Sequence, residues 1–372
     1  MSEKNLHTEY EELRAREKEL SSILDASSVV GSFGSDSLYK RTLQGPPIHG
    51  LIASSTSPQN MQIDAITRSG TINSDGVIIT VAEEALSDVS AQTFKVLIMY
   101  LTKATEQLPR EDKITPEAIN RGRTVRISLE EYMRACGTKD KKTAREQLNT
   151  AVKSLYAISL EWEEIDYSKG PKARERVKHA ARIIDHIATN ESGNATKRGA
   201  AEVQLSYSMA EYLAGSFIMA YPKALLMINT KANPYAIPLG WKLCSQYNMN
   251  WGKAAQGRIK VATLLKAAKG IPRYETIAHR GNIFDKIVKP FDRDMRALVD
   301  RGVLSGYYYV DDMGARVDNV AALSYSTFIG LNVVYEIESY PDQGQRLERK
   351  QKRISAAISR NKKASKKEAS GS

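Results

Sequence analysis

From residue 77 onward, apolar positions alternate between the two-residue rhythm of strands and the three-and-four rhythm of helices. Val77-Ile78-Ile79-Thr80-Val81 is a short β-type run. Ser90 then opens a helix as its cap, since a serine hydroxyl accepts from the unpaired N–H groups of a first turn. Phe94, Leu97, Ile98 and Leu101 follow at i, i+3, i+4 and i+7, one face of that helix. Val125-Arg126-Ile127 is a strand, and Ser128 with Glu131 fits a capping box for a helix over 129–135 that stops at Gly137. Lys139 to Ala157 predicts a longer helix with Ala144, Leu148, Ala151, Val152 and Leu155 inside. Strand-like runs follow at Ser159–Ile165, Ala181–Ala188 and Ala201–Tyr207, the first two separated by a basic, apolar-poor stretch and the last preceded by a turn at Gly193-Asn194.

The same order returns further on. A helix over 234–247 carries Ile237, Leu239, Leu243 and Tyr247, and Lys260–Leu265 is a second helix stopped near Gly270-Ile271-Pro272. A long helix over 276–301 has Ile283, Ile287, Phe291, Met295 and Leu298 on one face, with Gly302 as its stop. Pro290 removes one backbone donor, so it should kink or split this helix. Strands at Val303–Val310 and Leu331–Ser339 complete the unit. Helices joined by a tight glycine turn and followed by a hairpin are the order of a winged helix. The fold expected is therefore α+β: two tandem winged-helix domains at 77–215 and 216–342. Residues 1–76 are expected to be a flexible leader with a short helix near its start, because residues 26–75 are rich in Ser, Gly, Asn and Pro. Residues 343–372 form a basic disordered tail in the same reading.

Composition narrows the class. The net charge is +11 and the pI about 9.3, which favours a polyanionic partner. Most of the excess lies in the tail, where residues 344–368 hold ten Lys and Arg. Cys136 and Cys244 stand outside any metal-ligand spacing and read as reduced thiols in a cytoplasmic protein. No secretory signal or membrane span is expected. There is no GxxxxGK[ST] phosphate loop, no G-x-S-x-G nucleophile motif and no His-x-His among His7, His49, His179, His186 and His279. His179 and His186, seven apart, read as a surface pair in or beside the wing. No catalytic residue, metal or cofactor is expected, which disfavours a nicking relaxase or primase.

The chemistry expected instead is DNA recognition. A recognition helix lies in the major groove and its first turns meet base edges. In the first unit that places Lys139, Lys141, Lys142, Thr143, Arg145 and Asn149 at DNA. Arg145 can take guanine and Asn149 adenine with two bonds each, while the lysines suit phosphate. Lys172, Arg174 and Arg176 line the expected basic wing. In the second unit the candidates are Thr276, Arg280, Asn282, Lys286 and Arg293, with Tyr274, His279 and Lys289 beside them. Tyr307-Tyr308-Tyr309 cannot all stack on a single strand, because alternate strand residues face opposite ways; they are assigned mainly to core and sheet-edge packing.

The chain resembles the initiator replication proteins of iteron-type plasmids, the RepA-like family, over about residues 85–340. The likeness rests on Thr93–Leu101, Val125–Tyr132, Lys142-Thr143-Ala144-Arg145 with Leu148 and Ala151–Leu155, then Lys260–Leu265 and Phe284–Phe291. It implies tandem winged helices on direct repeats of double-stranded origin DNA, duplex opening, and recruitment of a host replicative helicase or its loader. It also implies a homodimer joined through the first domain that represses the protein's own gene. A transcriptional regulator without initiator activity is the alternative, since its binding chemistry is the same. The long Ser-rich leader, the basic segment around 168–180 and the basic tail depart from the family pattern.

Overall fold

The computed structural model describes residues 15, 30–31, 39–44, 48, 51–52, 61–74, 77–86, 88–110, 113–166, 175–190, 193–197, 199–277 and 282–338. The tail, nearly all of the expected N-terminal helix and the segment 167–174 lie outside these residues.

Order begins before residue 77, which corrects the expectation of a flexible leader over 1–76. Strand β1 (Val30–Gly31) pairs in parallel with β2 (Tyr39–Gln44). Ile48, Leu51 and Ile52 are at most 1% exposed, and β3 (Gln62–Ile63) and β4 (Gly70–Ser74) form a hairpin. The partners that order this stretch are remote: β2 runs antiparallel to β12 (Phe217–Pro222), with Tyr39 opposite Pro222. Local composition carries no sign of a pairing made that far along the chain.

The first winged helix is built around helix α1 (Ala91–Gln107). The Ser90 N–H donates to the Thr93 hydroxyl at 3.3 Å, one arm of a capping box. Val96, Met99 and Tyr100 are buried along with the predicted Phe94, Leu97, Ile98 and Leu101, because α1 has packed neighbours on several sides. Helix α2 (Pro116–Gly122), capped by Thr115, leads into β6 (Thr124–Ser128), where Val125 and Ile127 turn inward. Helix α3 (Leu129–Cys136) has the predicted capping box: Glu131 N–H to the Ser128 hydroxyl at 3.1 Å and Ser128 N–H to the Glu131 carboxylate at 2.9 Å. Gly137 takes φ +67, open to glycine at little cost, and the Thr138 N–H returns to the Met133 carbonyl at 3.0 Å. Helix α4 (Lys141–Tyr156) follows, its predicted apolar stripe buried.

The wing lies elsewhere than the sequence pattern puts it. Strands β7 (Ile158–Asp166) and β8 (Glu175–Arg182) pair with each other, but β7 also pairs with β5 (Val77–Val81), in a sheet ordered β3-β4-β5-β7-β8. The strand that belongs beside β6 is β11 (Ala200–Leu205), itself paired with β9 (Ile184–Ile187) and β10 (Thr196–Lys197). The wing is thus the β9–β11 hairpin, with β10 within its connection. His179 and His186 fall on β8 and β9, and His179 stacks on Trp162 at 5.0 Å.

Helix α5 (Tyr207–Gly215) and β12 lead to the second unit. Here α6 (Ala236–Met249) precedes β13 (Arg258–Lys260) and α7 (Val261–Ala267). A short helix α8 (Tyr274–Ile277) comes next. Then a π turn, Phe284–Val288, runs directly into α9 (Lys289–Asp300). Pro290 is the cause: it has no N–H for the Lys286 carbonyl, so the ladder widens by one residue just before it. Strands β14 (Leu304–Val310), β15 (Arg316–Val317) and β16 (Asn332–Ile337), with helix α10 (Tyr325–Gly330), form the second hairpin. The sheet order is β13-β16-β14-β15.

Both units share one wiring. In each a helix, a strand and further helices precede antiparallel strands, and the first strand pairs with the last: β6 with β11, β13 with β16. The protein is α+β with two tandem winged helices. Their cores are continuous, and polar contacts bridge them. Thr102 and Tyr221 hydroxyls meet at 2.9 Å, and Asn248 bonds both backbone groups of Ala220 at 3.2 and 3.0 Å. Lys95, only 3% exposed, donates from Nζ to the Ile228 carbonyl at 2.5 Å.

Candidate nucleic-acid interface

Helix α4 starts at Lys141, because Asp140 caps it: the Thr143 N–H donates to Asp140 Oδ2 at 2.6 Å. The Thr143 hydroxyl and N–H hold the Asp140 carboxyl below its ordinary value. Lys139, the start expected from the sequence, therefore lies just before the helix, which begins two residues later. An aspartate ahead of Lys-Lys-Thr was the sequence signal for this boundary. Lys139, Lys141, Lys142, Thr143 and Arg145 are all exposed. The helix carries Lys141, Lys142, Arg145 and Lys153 against Glu146 alone. Among the described residues, no ion pair joins Lys141, Lys142 or Arg145 to an acid.

The helix is held rigidly from behind. Tyr132, fully buried on α3, donates to Gln147 Oε1 at 2.9 Å and accepts from the Gln92 side chain. Asn149 has a different place from the one expected. Its Oδ1 accepts the N–H of Ala195, a fully buried residue in the wing connection, at 2.7 Å. That bond ties the recognition helix to the wing.

Lys172 and Arg174 lie outside the described residues. Arg176 sits on β8, in the sheet that is not the wing, 3.9 Å from Glu163. Its neighbour Lys178 lies 3.6 Å from the same carboxylate.

The second recognition helix differs in charge. Arg280 and His279 lie outside the described residues, and Thr276 is on α8. Asn282 acts as a cap, its Oδ1 accepting the Asp285 N–H at 3.1 Å. Lys289 lies 3.5 Å from Asp285. Arg293 donates to Asp294 at 2.7 Å; Asp294 is 0% exposed and also accepts the Tyr235 N–H at 2.6 Å. Burial pushes the Asp294 carboxyl up, against the pull of Arg293 and that N–H. Arg296 lies 2.6 Å from Asp292, which also accepts the Tyr307 and Tyr309 hydroxyls at 2.5 and 3.1 Å. Lys286 is exposed.

The three tyrosines divide as strand alternation requires. Tyr309 is buried at 6%, whereas Tyr308 is 42% exposed under the Arg316 guanidinium, 5.4 Å from the ring centroid. Tyr308 faces outward and packs at the sheet edge, where its cation partner belongs to β15, a strand the sequence pattern did not show. Tyr274 stacks on Tyr325 at 4.5 Å. Among the described residues, no helix is long and apolar enough to cross a membrane. Cys244 is buried, and burial pushes the Cys136 thiol up to about 11.

These features define a tandem winged-helix protein with a basic first recognition helix. Residues 80–218 match the family described as Initiator Replication protein, WH1. The chain is also similar to crystal structures of domains 2 and 3 of RctB. The selenomethionine form has 11% identity and a TM-score of 0.38, covering 77% of this chain and 98% of that one. A second structure, RctB-155-483, has 10% identity and a TM-score of 0.37, covering 76% and 96%. No curated protein matches.

Proposed function

We propose that this protein binds a specific double-stranded DNA sequence at a replication origin and initiates replication there. The observation that carries this reading is the outer face of α4. It offers Lys142 and Arg145, with no ion pair to an acid among the described residues, on a helix that is capped, backed by Tyr132 and tied to its wing. A planar guanidinium at this place suits guanine, and the flanking lysines suit phosphate. The family match over 80–218 supports an initiator over a regulator that only represses transcription. Initiation at repeated sites, recruitment of a helicase or its loader, and dimerisation through the first domain belong to the same proposal.

The test is a footprint of the full chain on DNA flanking its own gene, at near-physiological salt. Protected repeats at regular helical spacing are expected. Arg145→Ala should weaken binding to the protected site by about 10- to 100-fold, one lost bidentate base contact, and affect random DNA far less. Diffuse, salt-labile protection, or equal losses on both DNAs, would overturn the reading. Support of plasmid replication in a host lacking the plasmid's own initiator separates initiation from repression.

A further inference from the structure

The second recognition helix carries four basic side chains, and three of them are matched by its own acids: Lys289 with Asp285, Arg293 with Asp294 and Arg296 with Asp292. Such a helix offers a polyanion little net attraction. Besides the exposed Asp285–Lys289 pair, its first turns leave outward Lys286 and the ring of Phe284, 40% exposed.

The position of that ring follows from the π turn. Phe284, Ile287, Val288 and Phe291 are spaced for one face of an α-helix, and the last three are buried at 1%, 1% and 0%. An unbroken α-helix would align Phe284 with them. Instead the Lys289 N–H bonds the Phe284 carbonyl five residues back. An α turn holds about 3.6 residues and a π turn more. Phe284 is thereby turned away from the buried seam, towards the side on which exposed Lys289 lies. Proline placement thus removes a large apolar ring from the core and leaves it on the exposed side of a helix whose charges are largely paired.

We propose that Phe284 is a specificity-determining residue that reads a thymine through its 5-methyl group in the major groove. The inference rests on the DNA-binding function proposed above. Thymine alone presents a methyl group there, and apolar side chains contact it. Lys286, two residues along, supplies the adjacent phosphate contact. The two winged helices then divide the work: the first helix attracts and reads by charge and hydrogen bonds, the second by apolar fit.

The test uses the full chain and its footprinted duplex, with each thymine replaced singly by uracil, which deletes only the methyl. One position is expected to weaken wild-type binding about fourfold, the worth of one buried methyl. Phe284→Ala should bind thymine and uracil at that position equally, and Phe284→Leu, which keeps an apolar side chain and guards against misfolding, should retain part of the discrimination. Neither change should alter the salt slope of affinity, whereas Lys286→Ala should lower it by about one phosphate contact. Wild-type indifference to uracil at every position would overturn the proposal while leaving specific binding intact, and would turn Phe284 towards a protein contact. Discrimination persisting in Phe284→Ala would overturn it in favour of another methyl reader. Absence of any specific site would overturn both this inference and the function beneath it.

Discussion

Replacing Asn149 separates two roles that sequence alone confuses. If Asn149 read adenine, Asn149→Ala would leave stability unchanged and relax recognition at one A·T pair. The geometry predicts otherwise. Asn149 Oδ1 accepts the Ala195 N–H at 2.7 Å, and Ala195 is 0% exposed. Alanine leaves that donor buried without its partner, at a cost of about 1–3 kcal/mol. Urea unfolding should show this loss, and binding should weaken on specific and altered sites alike, because a loosened wing affects every complex. Asn149→Asp supplies the control. A carboxylate oxygen still accepts the N–H, so stability should return towards wild type, although the amide donor that adenine N7 needs is gone. Wild-type stability in Asn149→Ala, with loss confined to one A·T pair, would refute the strut.

Arg293→Ala removes the cation beside the fully buried Asp294 and should cost about 1–3 kcal/mol, reduced from the value for a fully buried pair because Arg293 is half exposed. The Asp294 carboxyl already lies above its ordinary value and would rise further, so the deficit should shrink as pH falls and the carboxyl protonates; a pH-independent deficit would exclude this cause. Burial lowers Lys95 below the ordinary 10.5, so between its folded value and 10.5 the unfolded chain binds more protons and stability should climb with pH. Lys95→Met should lose that climb in alkaline urea titrations while staying within about 2 kcal/mol of wild type at neutral pH. Gly257→Ala should cost about 2–4 kcal/mol by thermal or urea unfolding, since φ is +71 and a Cβ would lie 2.6 Å from the Tyr335 carbonyl oxygen. Gly314→Ala, with φ +87 and open space, should cost only the left-handed share, about 1–2 kcal/mol.

Local chemistry was legible in the sequence. The Ser128–Glu131 capping box, the stop at Gly137, the buried stripe of α4 and the repeated element order are decided within a few residues of each other, so spacing exposes them. Pro290 announced the break in the last long helix, because a missing N–H is a property of the residue itself. The outward basic face of α4 was equally plain, being the complement of its apolar stripe. Pairing across long separations was decided only by tertiary structure. The alternation of Ile158, Leu160 and Trp162 marks a strand with one buried face, yet nothing in it says that its partner is Val77–Val81 and not β6. The wing was therefore misplaced, and the ordered stretch around Tyr39–Gln44, whose partner is Phe217–Pro222, was read as leader. Side-chain roles followed the same division. Asn149, Asn282 and Arg293 have the composition of base and phosphate readers, but the folded chain brings Ala195, the Asp285 N–H and a buried Asp294 within hydrogen-bond reach of them. A polar residue's type states what it can bond, and only the fold decides which partner arrives first.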